Sequence, residues 1–185
     1  PGVQQVLVDF DGVSNKVLRG AAGQQATYIQ WSAATKLFGD DPNQVTIFHV
    51  ARYGAAGQAG RLITDITANW LSGFWNVRSG VAHHNTWLGD HDNHFPRGDW
   101  IISYDTATSY SAYSKGNKRA AENAGGSGPN DLKIGAWRAD NAEWSDNWEV
   151  AAVMVYDYKM GADDAKLVID YLNSMYPATA TGSYP

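Results

Sequence analysis

Short apolar or alternating runs recur along the chain at roughly ten-residue spacing, the pattern of sandwiches and barrels. They fall at residues 6–10, 27–31, 45–52, 60–65, 70–75, 80–84, 100–104, 111–114, 132–136 and 148–158. Gly, Asp, Asn or Pro punctuates most of the gaps, as turns between strands require. The last run is the clearest. Val150, Ala152, Met154 and Tyr156 alternate with Ala151, Val153 and Val155, so both faces are apolar. That predicts a central strand covered on both sides. A single helix is predicted over 162–176. Leu167, Val168, Tyr171, Leu172 and Met175 form one stripe of 3.6-residue period, Asp163 and Asp164 suit the first turn, and Pro177 stops it. Such a helix can cover one edge or end of a sandwich.

Between these elements, residues 53–57 (YGAAG) read as a hairpin loop and 124–130 (AGGSGPN) as an open loop. Residues 85–99 hold Asp90, His91, Asp92, Asn93, His94 and Pro96 and read as a long surface loop, a length often tied to function. Residues 177–185 (PATATGSYP) are uncharged and Thr/Ser/Pro-rich, like a linker or an O-glycosylated stalk. The domain is therefore placed at 1–176 and a tail at 177–185. The chain opens Pro1-Gly2 without Met, which we read as a mature form or an excised piece.

Composition narrows the class. The 185 residues contain no Cys, which excludes disulfide scaffolds, thiolate metal sites and cysteine nucleophiles. Charged residues are 18% of the chain, too few for a helical bundle, whereas eight Trp, ten Tyr and nineteen Gly suit strands, turns and a large aromatic core or binding face. The net charge of −5 argues against a nucleic-acid partner. No apolar run approaches the ~20 residues of a membrane span.

Several segments share one likeness. Residues 144–150 (WSDNWEV), then 153–157 (VMVYD), then Tyr171-Leu172 and Tyr176 close the chain. Upstream stand 46–53 (TIFHVARY) and 69–75 (NWLSGFW) followed by 80–84 (GVAHH). In this order, over about residues 26–176, they resemble laminin-G-like, concanavalin-A-like lectin-glucanase jelly-roll domains of large extracellular microbial and algal proteins. The resemblance implies an all-β antiparallel jelly-roll β-sandwich with one short C-terminal α-helix. There are departures. Lys115-Gly116 stands where such domains carry an Asn-Gly turn, Gly161-Ala162 replaces the usual Ser-Asp helix start, and Ala152 stands where a Glu is usual.

Four constellations bear on chemistry. Glycoside hydrolysis needs two carboxylates about 5–9 Å apart. Glu143, Asp146 and Glu149 are spaced by three, so neighbours fall on opposite strand faces, and Glu143 and Glu149 lie about 20 Å apart in extended chain. They are expected to cap a turn and decorate a strand end. His83-His84 and His91-x-x-His94 are metal-ligand types. Adjacent strand histidines face opposite ways, which leaves the loop pair with Asp90 and Asp92, or simply a polar loop. Calcium is a candidate at Asp9-Phe10-Asp11, Asp40-Asp41 or 90–93, though none matches a calcium-loop pattern. Relatives of the resembled class often bind calcium at a sandwich rim.

The Trp residues carry the binding expectation. Trp75, Arg78, His84, Asn85, Trp87 and Asp90 fall in one hairpin and its loop, mixing flat aromatics with polar groups that suit a glycan or peptide surface. The alternative is that Trp70, Trp75 and Trp87 are core aromatics. The expected function is a non-catalytic recognition module of an extracellular or cell-surface protein, binding glycan or glycoprotein. The alternative is a structural subunit of an extracellular fibril or coat that self-associates through sheet edges such as residues 6–10. A glycoside hydrolase is the minor alternative.

Overall fold

The computed structural model describes residues 3–10, 13–21, 28–31, 40–54, 57–137 and 143–177. Two antiparallel sheets face each other. The seven-stranded sheet runs β1 (Gln4–Phe10), β2 (Val13–Arg19), β12 (Trp148–Tyr156), β4 (Thr46–Tyr53), β8 (Ile101–Thr106), β9 (Ser109–Ser114) and β10 (Asn117–Glu122). The five-stranded sheet runs β3 (Ile29–Trp31), β11 (Leu132–Ile134), β5 (Ile63–Thr64), β6 (Trp70–Trp75) and β7 (Arg78–His84). The helix α1 (Ala162–Met175) follows β12. This is a β-sandwich, as the spacing of apolar runs predicts.

Strand alternation divides the seven-stranded sheet between two cores. Ile47, Ala51 and Tyr53 of β4 join Leu62, Ile63, Trp70 and Phe74 in the core between the sheets. Phe48 and Val50 point the other way and pack with Ile102, Met160, Ala165, Ile169 and Leu172. So α1 covers the outer face of the large sheet, and its middle strands are buried on both sides. β12 does not alternate as its sequence suggests. A bulge between Val150 and Ala152 puts Val150 on the same side as Val153 and Val155, and Ala151 with Ala152, Met154 and Tyr156. An inserted residue resets the two-residue period.

Three further expectations need correction. Residues 53–57 do not close a hairpin: β4 lies in the large sheet, while the next strand, β5, lies in the small one. The chain changes sheets between Tyr53 and Ile63, and Arg97 donates to the carbonyls of Gly54 (3.2 Å) and Gly57 (2.9 Å). The helix buries Ala165, Ile169 and Leu172, whereas Leu167, Tyr171 and Met175 are 68%, 54% and 37% exposed. The line that faces the sheet is Ala165, Ile169 and Leu172, at i, i+4 and i+7, which leaves Leu167, Tyr171 and Met175 outward. Two strands, β2 and β10, go unpredicted because their mixed sequences, VSNKVLR and NKRAAE, have no apolar run. The helix start is Gly161 with no side-chain cap, as Gly161-Ala162 leads one to expect.

The edges are treated differently. On the outer side of β7 the chain folds back on itself. Leu88 donates to the Ala82 carbonyl (3.0 Å), His84 to that of Thr86 (2.8 Å) and His94 to that of Ser79 (3.0 Å). The 85–99 loop therefore occupies hydrogen-bonding groups that an edge strand otherwise offers to other chains. β10 carries Lys118, Arg119 and Glu122, charges that discourage edge pairing. The tail at 178–185 and Asp11 lie outside the described residues.

Candidate functional site

Trp75 and Arg78 flank the two-residue turn of the β6–β7 hairpin and pair across it. Asn76 (φ 46°) and Val77 (φ 65°) both sit in the left-handed region, as the favoured tight hairpin turn demands. A β-branched residue is strained there. The turn is held by backbone bonds from Asn76 to the Gly60 carbonyl (3.1 Å) and from Val77 to that of Ala59 (2.7 Å). No side chain could replace the hydrogen of Gly60, since a Cβ would lie 2.0 Å from the Glu143 carbonyl oxygen. The result is a fixed, half-buried Trp75.

Against it stands Trp87, with ring centroids 5.0 Å apart at 60°. His91 stacks on Trp87 (4.9 Å, 30°), His83 meets its edge (4.9 Å, 87°), and the Arg78 guanidinium lies 5.1 Å from the Trp75 centroid. Among the described residues neither indole N–H has a hydrogen-bond partner. Trp75 and Trp87 are both only half-buried, so they are not core aromatics; Trp70, fully buried, is one. Burial lowers the His83 pKa below its ordinary value, partly offset by its bond to the Asn69 carbonyl (2.7 Å).

The loop bearing Trp87 is anchored from the large sheet and the segment after it. Asn123 donates to the Trp87 carbonyl (3.0 Å), and Arg119 of β10 donates to that of Asp90 (3.2 Å). Asp90 accepts from His94 (2.7 Å). Slight burial pushes the Asp90 carboxyl up, but the Asp92 amide, His94 and Arg119 together hold it below the usual carboxylate range. Beside Trp75 opens a hollow of about 240 Å³ lined by Gln58, Gly60, Asn76 and Glu143. Glu143 is paired with Arg61 (2.5 Å), whose guanidinium covers the Trp137 ring at 3.6 Å.

Of the six expected residues, Trp75, Arg78 and Trp87 share one surface, and Asp90 lies on the same loop as His91. His84 does not: it is fully buried and faces inward. Its strand alternation sends His83 out and His84 into the sandwich. Asn85 is exposed but ties a turn, accepting from the Asn69 amide (3.0 Å) and donating to Ser127. Gln58, Arg119 and Asn123 escape the sequence reading because they come from separate segments; His91, expected there as a metal ligand or part of a polar loop, stacks on Trp87. The spacing of His91 from Trp87 was the only available signal.

A second hollow, about 440 Å³, lies between α1 and β8–β10 on the outer face. Ser109, Ser111 and Ala120 are too small to fill the space under the first half of the helix. Tyr104, Lys118, Glu122, Lys166 and Asp170 border it.

Inside the sandwich runs a polar row that joins the sheets. His49 Nε2 donates to Ser72 Oγ (2.7 Å), Ser72 donates to Asp105 Oδ2 (2.6 Å), and His84 Nε2 meets Asp105 Oδ1 (3.1 Å). All four residues are at most 1% exposed. The serine proton points to the carboxylate and away from His49, so the row is not wired as a nucleophile with its base. Burial lowers the His49 pKa to about 4, against a smaller raising pull from Asp105.

The carboxylates weighed for hydrolysis are dispersed. Glu149 is buried between Arg19 and Arg52, which take its two oxygens. Asp146 is buried behind the Gly57 turn, and Glu143 is held by Arg61. For metals, among the described residues no three His, Asp or Glu side chains converge. Asp41 caps the short 3-10 turn Pro42–Gln44, and Asn93 accepts from the Ser79 amide (2.9 Å). No helix of the described residues is long and apolar enough to cross a membrane.

The fold defines a two-sheet antiparallel β-sandwich with an aromatic surface at one hairpin. Compared with known protein families and with curated proteins, the sequence matches none.

Proposed function

We propose that the chain is a laminin-G-like, concanavalin-A-like recognition module of an extracellular or cell-surface protein, non-catalytic, that binds glycan or glycoprotein. The observation that carries this reading is the pair Trp75 and Trp87, 5.0 Å apart, partly exposed, with unpaired indole N–H groups. A sugar ring lays its C–H face on indole while fixed polar groups meet its hydroxyls. Gln58 and Asn76 supply such groups beside Trp75. Main-chain bonds hold the Trp75 turn, and Asn123 and Arg119 hold the Trp87 loop; a surface held in place before binding favours affinity.

The test is a glycan array on the isolated chain, in calcium and in EDTA, with Trp75→Ala and Trp87→Ala alongside. The reading expects selective binding that both variants lose. Binding that EDTA abolishes would bring calcium into the site. Binding that survives both substitutions would move the site to the hollow beside α1, and no binding in either buffer would sink the reading.

A second reading, a self-assembling structural subunit, draws on one observation. Among the described residues β1 pairs with β2 alone, so its outer edge is open to a strand of another copy. Sedimentation velocity at rising concentration decides it: a monomer throughout removes this reading.

A further inference from the structure

We propose that the aromatic surface selects acidic saccharides, through Arg78; this rests on the glycan-binding reading above. Other arginines of the described residues are engaged by oxygen. Arg19 and Arg52 hold Glu149, Arg61 holds Glu143, Arg119 holds Asp90, and Arg97 is spent on the carbonyls of Gly54 and Gly57. Arg52, Arg61 and Arg97 also lie over aromatic rings, but each holds an oxygen as well; among the described residues Arg78 has only the Trp75 ring. Its Nη1 is buried without a hydrogen-bond partner, and no carboxylate among the described residues pairs with it.

A guanidinium in this condition is matched by a carboxylate or sulfate, which it grips through two parallel N–H···O bonds. The ring beneath sharpens the geometry, because a cation on indole is already oriented and partly desolvated. The surrounding charge does not oppose an anion. Asp90 is balanced by His94 and Arg119, and Glu143 by Arg61. A sugar lying on Trp75 places a ring substituent within reach of Arg78, so the acidic group of a uronic acid or a sulfated sugar meets it while the pyranose face meets the indole.

The test is calorimetric titration of the whole chain with three probes: an oligogalacturonate, a sulfated galacto-oligosaccharide and the neutral galacto-oligosaccharide. The proposal expects an acidic probe to bind at least tenfold tighter than the neutral one in 20 mM salt, with the gap closing at 500 mM as the charges are screened. The carboxylated and sulfated arms tell which anion is favoured. Arg78→Gln is expected to erase the preference, and Arg78→Lys to retain part of it; thermal melts check that both variants fold. Equal binding of neutral and acidic probes, all lost in Trp75→Ala, overturns the acidic preference and leaves the glycan reading standing. Binding of no probe overturns both.

Discussion

His84 of the small sheet and Asp105 of the large one meet at 3.1 Å in the middle of the sandwich, where neither sees water. The other ring nitrogen of His84 lies 3.1 Å from the Ala107 carbonyl, and Trp70 stacks on the ring with centroids 4.9 Å apart. Asp105→Asn strips the carboxylate from both His84 and Ser72. The expected cost is about 1–3 kcal/mol, the penalty for leaving buried hydrogen-bonding groups badly matched. Urea unfolding followed by Trp fluorescence measures it; a loss below about 1 kcal/mol would refute the role.

The same row fixes a pH dependence. Burial holds His49 at about 4, below its ordinary 6.5. The unfolded chain therefore takes up a proton at a higher pH than the folded one. Stability from this residue is complete above about pH 6.5 and is lost as pH falls from there towards 4. The loss amounts to roughly 3 kcal/mol. Unfolding free energies at pH 7.5 and pH 4.5 should differ in this direction, and a His49→Gln variant should flatten the slope.

Val77 is the strained member of the β6–β7 turn, at φ 65° and 51% exposed. Val77→Gly removes a left-handed penalty of about 1–2 kcal/mol, less the entropy glycine adds to the unfolded chain. A gain of about 1 kcal/mol is expected, read as a higher Tm. An unchanged or lower Tm would mean the valine side chain makes contacts that outweigh the strain.

Asn123 and Arg119 hold the Trp87 loop through the carbonyls of Trp87 and Asp90. Asn123→Ala deletes the bond to the Trp87 carbonyl, at a cost of about 1–2 kcal/mol. Amide hydrogen exchange should quicken at Leu88 and His94 while β4 and β12 stay protected. Uniform exchange across the chain would show that the residue supports the global fold instead.

The sandwich itself was legible because its buried strands carry dense apolar runs at regular spacing. What escaped was set by tertiary context. β10 is a charged edge that needs no apolar face, and β2 is a mixed sequence that gains its place by pairing with β12. The bulge at Ala151 is invisible to period-counting, since the residues on either side are apolar in both registers. At the site, the hairpin made Trp75 and Arg78 neighbours in any reading of the sequence, and the loop kept Trp87 within reach. The burial of His84 is not legible, because strand parity says only that His83 and His84 differ, not which one faces the core. Gln58 and Asn123 could not be found at all, because only the folded chain brings Gln58 beside Trp75 and Asn123 to the Trp87 carbonyl.

The 85–99 segment has two duties on one backbone: it presents Trp87 and His91, and it occupies the free edge of β7. Its length is thereby constrained from both sides. An insertion or deletion that reshaped the aromatic surface would also lift the cover from β7 and leave a strand open to aggregation. On the proposed glycan-binding reading, new specificities should therefore arise by exchanging side chains on a fixed loop, and directed evolution that varies residues 87–92 in place should outperform libraries that vary the loop's length.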